Sequence, residues 1–150
     1  MYKVFFLLFI FTFAYSCKNI SSEKENSNKI VSTGDEIKKT PLEESIARGK
    51  SIYSNNCAQC HLPTGKGIPK VYPPLRRSDW LTKKRTESIQ AVKYGLSGEI
   101  TVNGNTYDNI MTPMGLSDQE VADVLNYVMN TWGNKQEKMV SSEEVSQAKK

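Results

Sequence analysis

Histidine is nearly absent from this chain: there is one, His61, in 150 residues. Cysteine is scarce too, with Cys17, Cys57 and Cys60 the only three. A structural zinc site takes about four Cys or His ligands, so one would have to draw on every such residue, including the distant Cys17. No second imidazole is available as an acid or base across a cofactor. Beyond residue 16 no apolar run approaches the ~20 residues that a membrane-spanning helix needs. No repeat recurs at solenoid or propeller periods. Basic residues are neither interleaved with aromatics nor set in a nucleic-acid-binding motif, so nucleic acid is not expected as a partner. Neither sign of charge dominates, since 20 Lys and Arg stand against 16 Asp and Glu for a formal +4. The balance of 38% hydrophobic and 24% charged residues in a chain this short fits one compact soluble core.

The positive charge is unevenly spread. Lys66, Lys70, Arg76, Arg77, Lys83, Lys84, Arg85 and Lys93 crowd the middle. Such a bias suits an acidic protein partner, and equally suits a merely solvated face.

Residues 1–16 combine Lys3 with an apolar run from Val4 to about Tyr15, the length of a signal-peptide core. Ala14-Tyr15-Ser16-Cys17 follows and resembles the lipobox of bacterial lipoproteins, in which the cysteine is lipidated. Ser16 fits the small-residue requirement, whereas Ala14 stands where Leu is usual and Tyr15 is bulky for its place. The other reading is a secreted protein with a stray cysteine near its cleavage site. Residues 17–41 are rich in Ser, Asn, Lys and Glu without apolar periodicity, which reads as a flexible, lipid-anchored tether. Its root-mean-square reach would be about 25–30 Å.

Residues 42–134 carry the folded pattern, and 135–150 form a charged C-terminal extension. Pro41 opens a helix over Leu42 to about Tyr53, with Leu42, Ile46, Gly49 and Tyr53 on one face. A Gly- and Pro-rich loop runs from Leu62 to Leu75, and a second helix covers Thr86 to Tyr94, stopping at Gly95. Glu99 to Tyr107 alternates around Asn103-Gly104, a short hairpin signal. Ser117-Asp118-Gln119-Glu120 is a capping box. It is followed by Val121, Val124, Leu125, Val128, Met129 and Trp132 at helical spacing, and Gly133 ends that helix. Ser141 to Glu144 caps one more short helix. The fold class is mostly α, with the hairpin as a small excursion.

Cys57-Ala58-Gln59-Cys60-His61 is C-x-x-C-H, the attachment signature of c-type haem. Two cysteines three positions apart on one helical turn can each offer a thiol to one vinyl group of the same haem. The next residue, His61, then brings an imidazole beneath the iron. A thioredoxin-like pair is the rival reading, but it belongs in a βαβ setting that this chain lacks. Two cysteines for haem and Cys17 for lipid leave no thiol over.

A sixth ligand from the protein must be something other than histidine, and methionine is the natural choice. Met111 and Met114 are the candidates, in the loop just ahead of the capping box. Met129 lies on a helix face, and Met139 in the charged extension. Either candidate could instead fill core space, as Met often does.

Gly49 and Tyr53, the C-x-x-C-H motif, Pro73-Pro74-Leu75, a methionine loop and a terminal helix bearing Tyr127 together resemble the class I cytochrome c family, from about Leu42 to Gly133. More narrowly, Tyr94 to Gly104, Tyr107, Met111, Leu116-Ser117-Asp118 and Trp132-Gly133-Asn134 resemble cytochrome c domains fused to copper nitrite reductases, and cytochrome subunits of periplasmic dehydrogenases. The resemblance implies a haem-enclosing helical fold in which the first and last helices cross at Gly49, with Tyr53 against Leu125 or Val128. It puts the methionine ligand at Met111, although here Thr112 intervenes before Pro113 where Pro usually follows directly. It also implies a backbone carbonyl in the Pro73–Leu75 loop bonded to the free nitrogen of His61, assigned to Pro74. Trp80, Arg76, Arg77 and Asn109 are candidates for binding the haem propionates.

The expected function is single-electron transfer through one covalent haem c with His–Met ligation, at the outer face of a bacterial membrane. The expected partners are redox proteins such as a haem–copper oxidase, a copper nitrite reductase or a dehydrogenase, with no small-molecule substrate. The alternative is a haem sensor or peroxidase-like enzyme with an open sixth position.

Overall fold

The computed structural model describes residues 38–136 and 138–150. The expected leader, Cys17 and nearly all of the tether lie outside the described residues.

Thr40 starts the first helix, α1 (Pro41–Asn56), with a capping box that pairs it reciprocally with Glu43, while Pro41 occupies the first turn where its missing N–H costs nothing. The Thr-x-x-Glu signal was present in the sequence. After Cys57 comes a single turn, α2 (Ala58–His61). The Gly- and Pro-rich stretch that follows carries only an isolated bridge between Ile68 and Tyr72.

α3 (Asp79–Lys83) is a short helix capped by Ser78 that the periodicity did not reveal, because five residues are too few to show a repeat. α4 (Arg85–Tyr94) ends at Gly95. The hairpin is β1 (Ile100–Val102) against β2 (Asn105–Tyr107), with Ile100 opposite Tyr107. Asn103 and Gly104 both have positive φ, 51° and 76°, as the tight two-residue turn demands.

α5 (Asp118–Val128) has the expected Ser117–Glu120 capping box. It stops short of Trp132, however. The side chains of Asn130, Thr131 and Asn134 bond the carbonyls of Asn126, Tyr127 and Val128, so the last turn finds partners without further helix. Trp132 then turns away with φ 55°.

α1 and α5 cross at Gly49, where a methyl group would sit 1.9 Å from the Asp123 carbonyl oxygen. Any side chain there would force the helices apart. Beside the crossing Tyr53 lies in the same core cluster as Leu125 and Val128, and its ring meets Tyr127 and Trp132 at centroid distances of 5.5 and 5.0 Å.

The sequence pattern ends the domain at residue 134, yet the core continues past it. Val140 and Val145 are fully buried, the latter on α6 (Ser142–Gln147), which packs on α5. Arg85 explains why so charged a segment docks: its guanidinium bonds Glu144, Gln136 and the carbonyls of Lys138 and Met139. No helix among the described residues is long and apolar enough to cross a membrane.

Candidate functional site

The C-x-x-C-H turn follows directly from α1. Cys57 N–H still bonds Tyr53 O at 2.9 Å, and Cys57 O then accepts from both Cys60 N and His61 N at 3.2 and 2.9 Å. One turn thus carries both thiols and the imidazole. It stops at Leu62, whose φ of 64° sends the chain away, and Tyr53 Oη donates to Leu62 O at 2.6 Å.

His61 is buried, and its Nδ1 lies 3.0 Å from the carbonyl oxygen of Pro73. A carbonyl can only accept, so Nδ1 carries the proton and Nε2 keeps its lone pair. Burial holds the ring's pKa below the ordinary value, against the opposing pull of the Pro73 bond. The result is a neutral imidazole with Nε2 available as a ligand. The carbonyl is that of Pro73, one residue before the Pro74 assigned from the resemblance. The reason is the close fold-back at Gly67, which has φ 64° and where a Cβ would come within 2.6 Å of Pro73 O. With His61 O bonded to Gly67 N, that approach brings Pro73 over the ring.

A cleft of about 290 Å³ opens beside the turn, lined by Cys57, Cys60 and His61 together with Met111 and Met114. A second cavity of about 80 Å³ lies deeper, lined by Tyr53, Leu81, Val92 and Leu125 among others. The two share Cys57, His61, Pro73, Leu96, Ile100 and Met111, and so form one slot with an apolar interior.

Backbone bonds place Met111 in that slot. Leu96 N donates to Met111 O and Met111 N to Leu96 O, both at 2.8 Å, which clamps the methionine loop to the end of α4. Met111 lines both parts of the slot, Met114 only the outer one. Of the propionate candidates, Asn109 lines the outer cleft and Trp80 the inner cavity. Arg76 and Arg77 line neither, and the Arg77 side chain packs beside Gly133. The hairpin has a larger part than its length implied, because the cross-strand pair Ile100 and Tyr107 forms a wall of the cleft. Tyr72 was missed as well; the signal for it was an aromatic residue directly before Pro73.

The rival chemistries fare poorly against this geometry. Burial, and secondarily Cys60 nearby, pushes the Cys57 thiol up to about 11, the reverse of the lowered pKa that a reactive redox pair needs. No three of His, Cys, Asp and Glu among the described residues come together as a metal-binding group. The chain's own groups do fit a haem: an apolar slot, two thiols at its wall and an imidazole whose free nitrogen is the usual axial donor.

Fold and site define a helical protein built around a covalently held haem. The Cytochrome c family model matches residues 46–132, more than half of the chain, and the chain belongs to the cytochrome c family. It carries c-type haem, with Cys57 and Cys60 fitting the attachment motif, and its role is electron transfer rather than enzymatic turnover. Cytochrome c-552 of Thermus thermophilus is 40% identical over 93 residues, covering 59% of this chain and 70% of that protein. The cytochrome c subunit of alcohol dehydrogenase (quinone) from Gluconobacter oxydans is 32% identical over 101 residues, 65% of this chain but 21% of the subunit. The cbb3-type cytochrome c oxidase subunit FixP of Bradyrhizobium diazoefficiens is 30% identical over 122 residues, 74% of this chain and 41% of the subunit. The chain therefore spans less than half of these two larger relatives.

Proposed function

We propose that this chain is an exported single-electron carrier whose haem iron is held between His61 and Met111, tethered through Cys17 to the outer face of a bacterial membrane. The observation that carries the ligand set is the slot itself: Cys57, His61 and Met111 line both of its parts. The haem supplies one-electron chemistry between ferric and ferrous iron. The protein contributes the rest. Cys57 and Cys60 hold the haem covalently, the Pro73 carbonyl orients His61, and the Leu96 clamp presents the Met111 thioether so that no position remains open for a substrate.

Partner docking fits the cleft mouth. The exposed large hydrophobic side chains among the described residues are Ile68, Val71 and Ile110, and Val71 and Ile110 line the outer cleft. Lys66 and Lys70 flank Ile68 in the chain and pair with no carboxylate among the described residues. Lys83, Lys84, Arg85 and Lys93 are instead matched by Asp79, Glu87, Glu144 and Asp118. The basic cluster thus splits: Lys66, Lys70, Arg76 and Arg77 pair with no carboxylate among the described residues, and of these the two lysines sit in the loop bordering the cleft. A redox protein with an apolar patch rimmed by acidic residues is the partner such a mouth suits, such as a dehydrogenase, a haem–copper oxidase or a copper nitrite reductase.

Met111→Ala tests the ligand set. The oxidised wild type should show the weak far-red band of sulfur bound to ferric iron. Met111→Ala should erase it, lower the reduction potential and admit cyanide or carbon monoxide, whereas Met114→Ala should leave the band in place. A band that survives Met111→Ala and vanishes in Met114→Ala would transfer the ligand to Met114. A wild type that lacks the band and binds external ligands freely would replace the carrier reading with a sensor or enzyme.

A further inference from the structure

The carbonyl that meets His61 belongs to a segment with its own anchor. Asn134 is buried, and its Nδ2 donates to Leu75 O and Val128 O, both at 2.7 Å, while its Oδ1 accepts from Ser78 N at 3.1 Å. Both amide hydrogens are thereby used. The partners come from two places: Val128 ends α5, and Leu75 and Ser78 belong to the strand of loop that leads from the cleft to α3. One side chain therefore fastens that loop to the last turn of α5.

Leu75 is separated from the Pro73 carbonyl by Pro74 alone. Pro73 and Pro74 each have a ring-locked φ, and a residue before proline is confined to extended backbone. Between Leu75 and the Pro73 carbonyl the φ of Pro74 and the ψ of Pro73 are thus restricted, which leaves ψ of Pro74 as the one soft dihedral able to absorb a shift of Leu75 on the way. On the other side Leu75 N and Arg76 N both donate to Gly65 O at 2.8 Å, so the loop is held from within as well as by Asn134.

We propose that Asn134 is a positioning residue for the haem site: by pinning Leu75 to the end of α5 it keeps the Pro73 carbonyl on His61 Nδ1, and so sets how strongly His61 donates to iron. This rests on His61 being the axial ligand, as proposed above. A carbonyl accepting the Nδ1 proton leaves more electron density on Nε2, which favours ferric iron. Loosening that bond should raise the reduction potential and expose the ring proton to solvent.

Asn126 is the control. It is equally well buried on α5 and makes three bonds, to Ser45 Oγ and to Val140 O and N, none of which reaches the cleft loop. The holoproteins of wild type, Asn134→Ala, Pro74→Gly and Asn126→Ala are compared by proton NMR exchange of the His61 Nδ1 hydrogen and by redox titration. Asn134→Ala should speed exchange by roughly tenfold and raise the potential, the effect of weakening about one buried hydrogen bond. Pro74→Gly softens the link while leaving Asn134 in place, and should move both readouts the same way even if Asn134→Ala does not accumulate. Asn126→Ala should lower stability and leave both readouts at wild-type values. Wild-type exchange and potential in Asn134→Ala and Pro74→Gly, or equal shifts in Asn126→Ala, would overturn this inference alone. A wild type without an iron-bound His61 signal would overturn the ligand reading and this inference with it.

Discussion

Asp123 shows how a single buried charge is made tolerable at the helix crossing. Its carboxylate accepts from Ser45 Oγ at 2.6 Å, from Arg48 Nε and Nη2 at 2.7 and 2.8 Å, and from Gln119 Nε2 at 3.1 Å. Burial by itself would push its pKa up, but these donors together hold it below the ordinary value. A carboxyl whose pKa is lowered on folding adds stability that is fully present above the unfolded value, about 3.9, and lost as pH falls through the folded one. Denaturant titrations should therefore show stability falling below about pH 4. Asp123→Asn should flatten that fall and cost roughly 1–3 kcal/mol at pH 7, since charge-assisted bonds are lost. An unchanged acid limb in Asp123→Asn would show that other carboxylates govern it.

At the level of elements, the segment after residue 134 changes the account of stability. The family match ends at residue 132, and the docked tail lies beyond it. Lys93 Nζ reaches Val145 O at 2.8 Å and Tyr94 Oη reaches Ala148 O at 2.8 Å, which lays the tail along α4. The clamp on Met111 leaves from the end of that same helix through Leu96. Truncation after Lys135 should lower the unfolding free energy, because it removes the buried side chains of Val140 and Val145, whose burial is worth ~1.5–3 kcal/mol each, together with the Arg85–Glu144 pair. Urea titration of the holoprotein measures it. A truncated chain as stable as the full one would mean that Val140 and Val145 contribute nothing net.

For the whole molecule the question is how a small redox domain finds its partner. If Cys17 bears a lipid, Cys17→Ser should release the holoprotein from membranes without altering its visible spectrum, because the anchor lies far from Cys57 in the chain. Fractionation that left the variant fully membrane-bound would remove the lipid anchor from the picture. If Lys66 and Lys70 steer docking, electron transfer to the right partner should slow as salt rises, since exposed charges are screened within ~8–10 Å at moderate ionic strength. Rates independent of ionic strength would leave the apolar mouth around Val71 and Ile110 as the contact.

Much of this was legible before any coordinates because its causes are local. C-x-x-C-H works through spacing on a single turn, Ser117-x-x-Glu120 through a hydrogen-bonding reach of three residues, and Asn103-Gly104 through the backbone conformation that its turn requires. Pattern could also say that Gly49 belongs at a close approach. It could not say what depends on contacts between segments far apart in the chain. Pro73 rather than Pro74 faces His61 because Gly67 lets the loop fold back at that point. The helix that apolar spacing carries to Trp132 stops at Val128 because three polar side chains take its last carbonyls. The charged tail joins the core because Arg85, some fifty residues earlier, pairs with Glu144 and gathers the carbonyls of Lys138 and Met139. Charge reads as solvated surface in a linear sequence, and a partner brought up by folding reverses that reading.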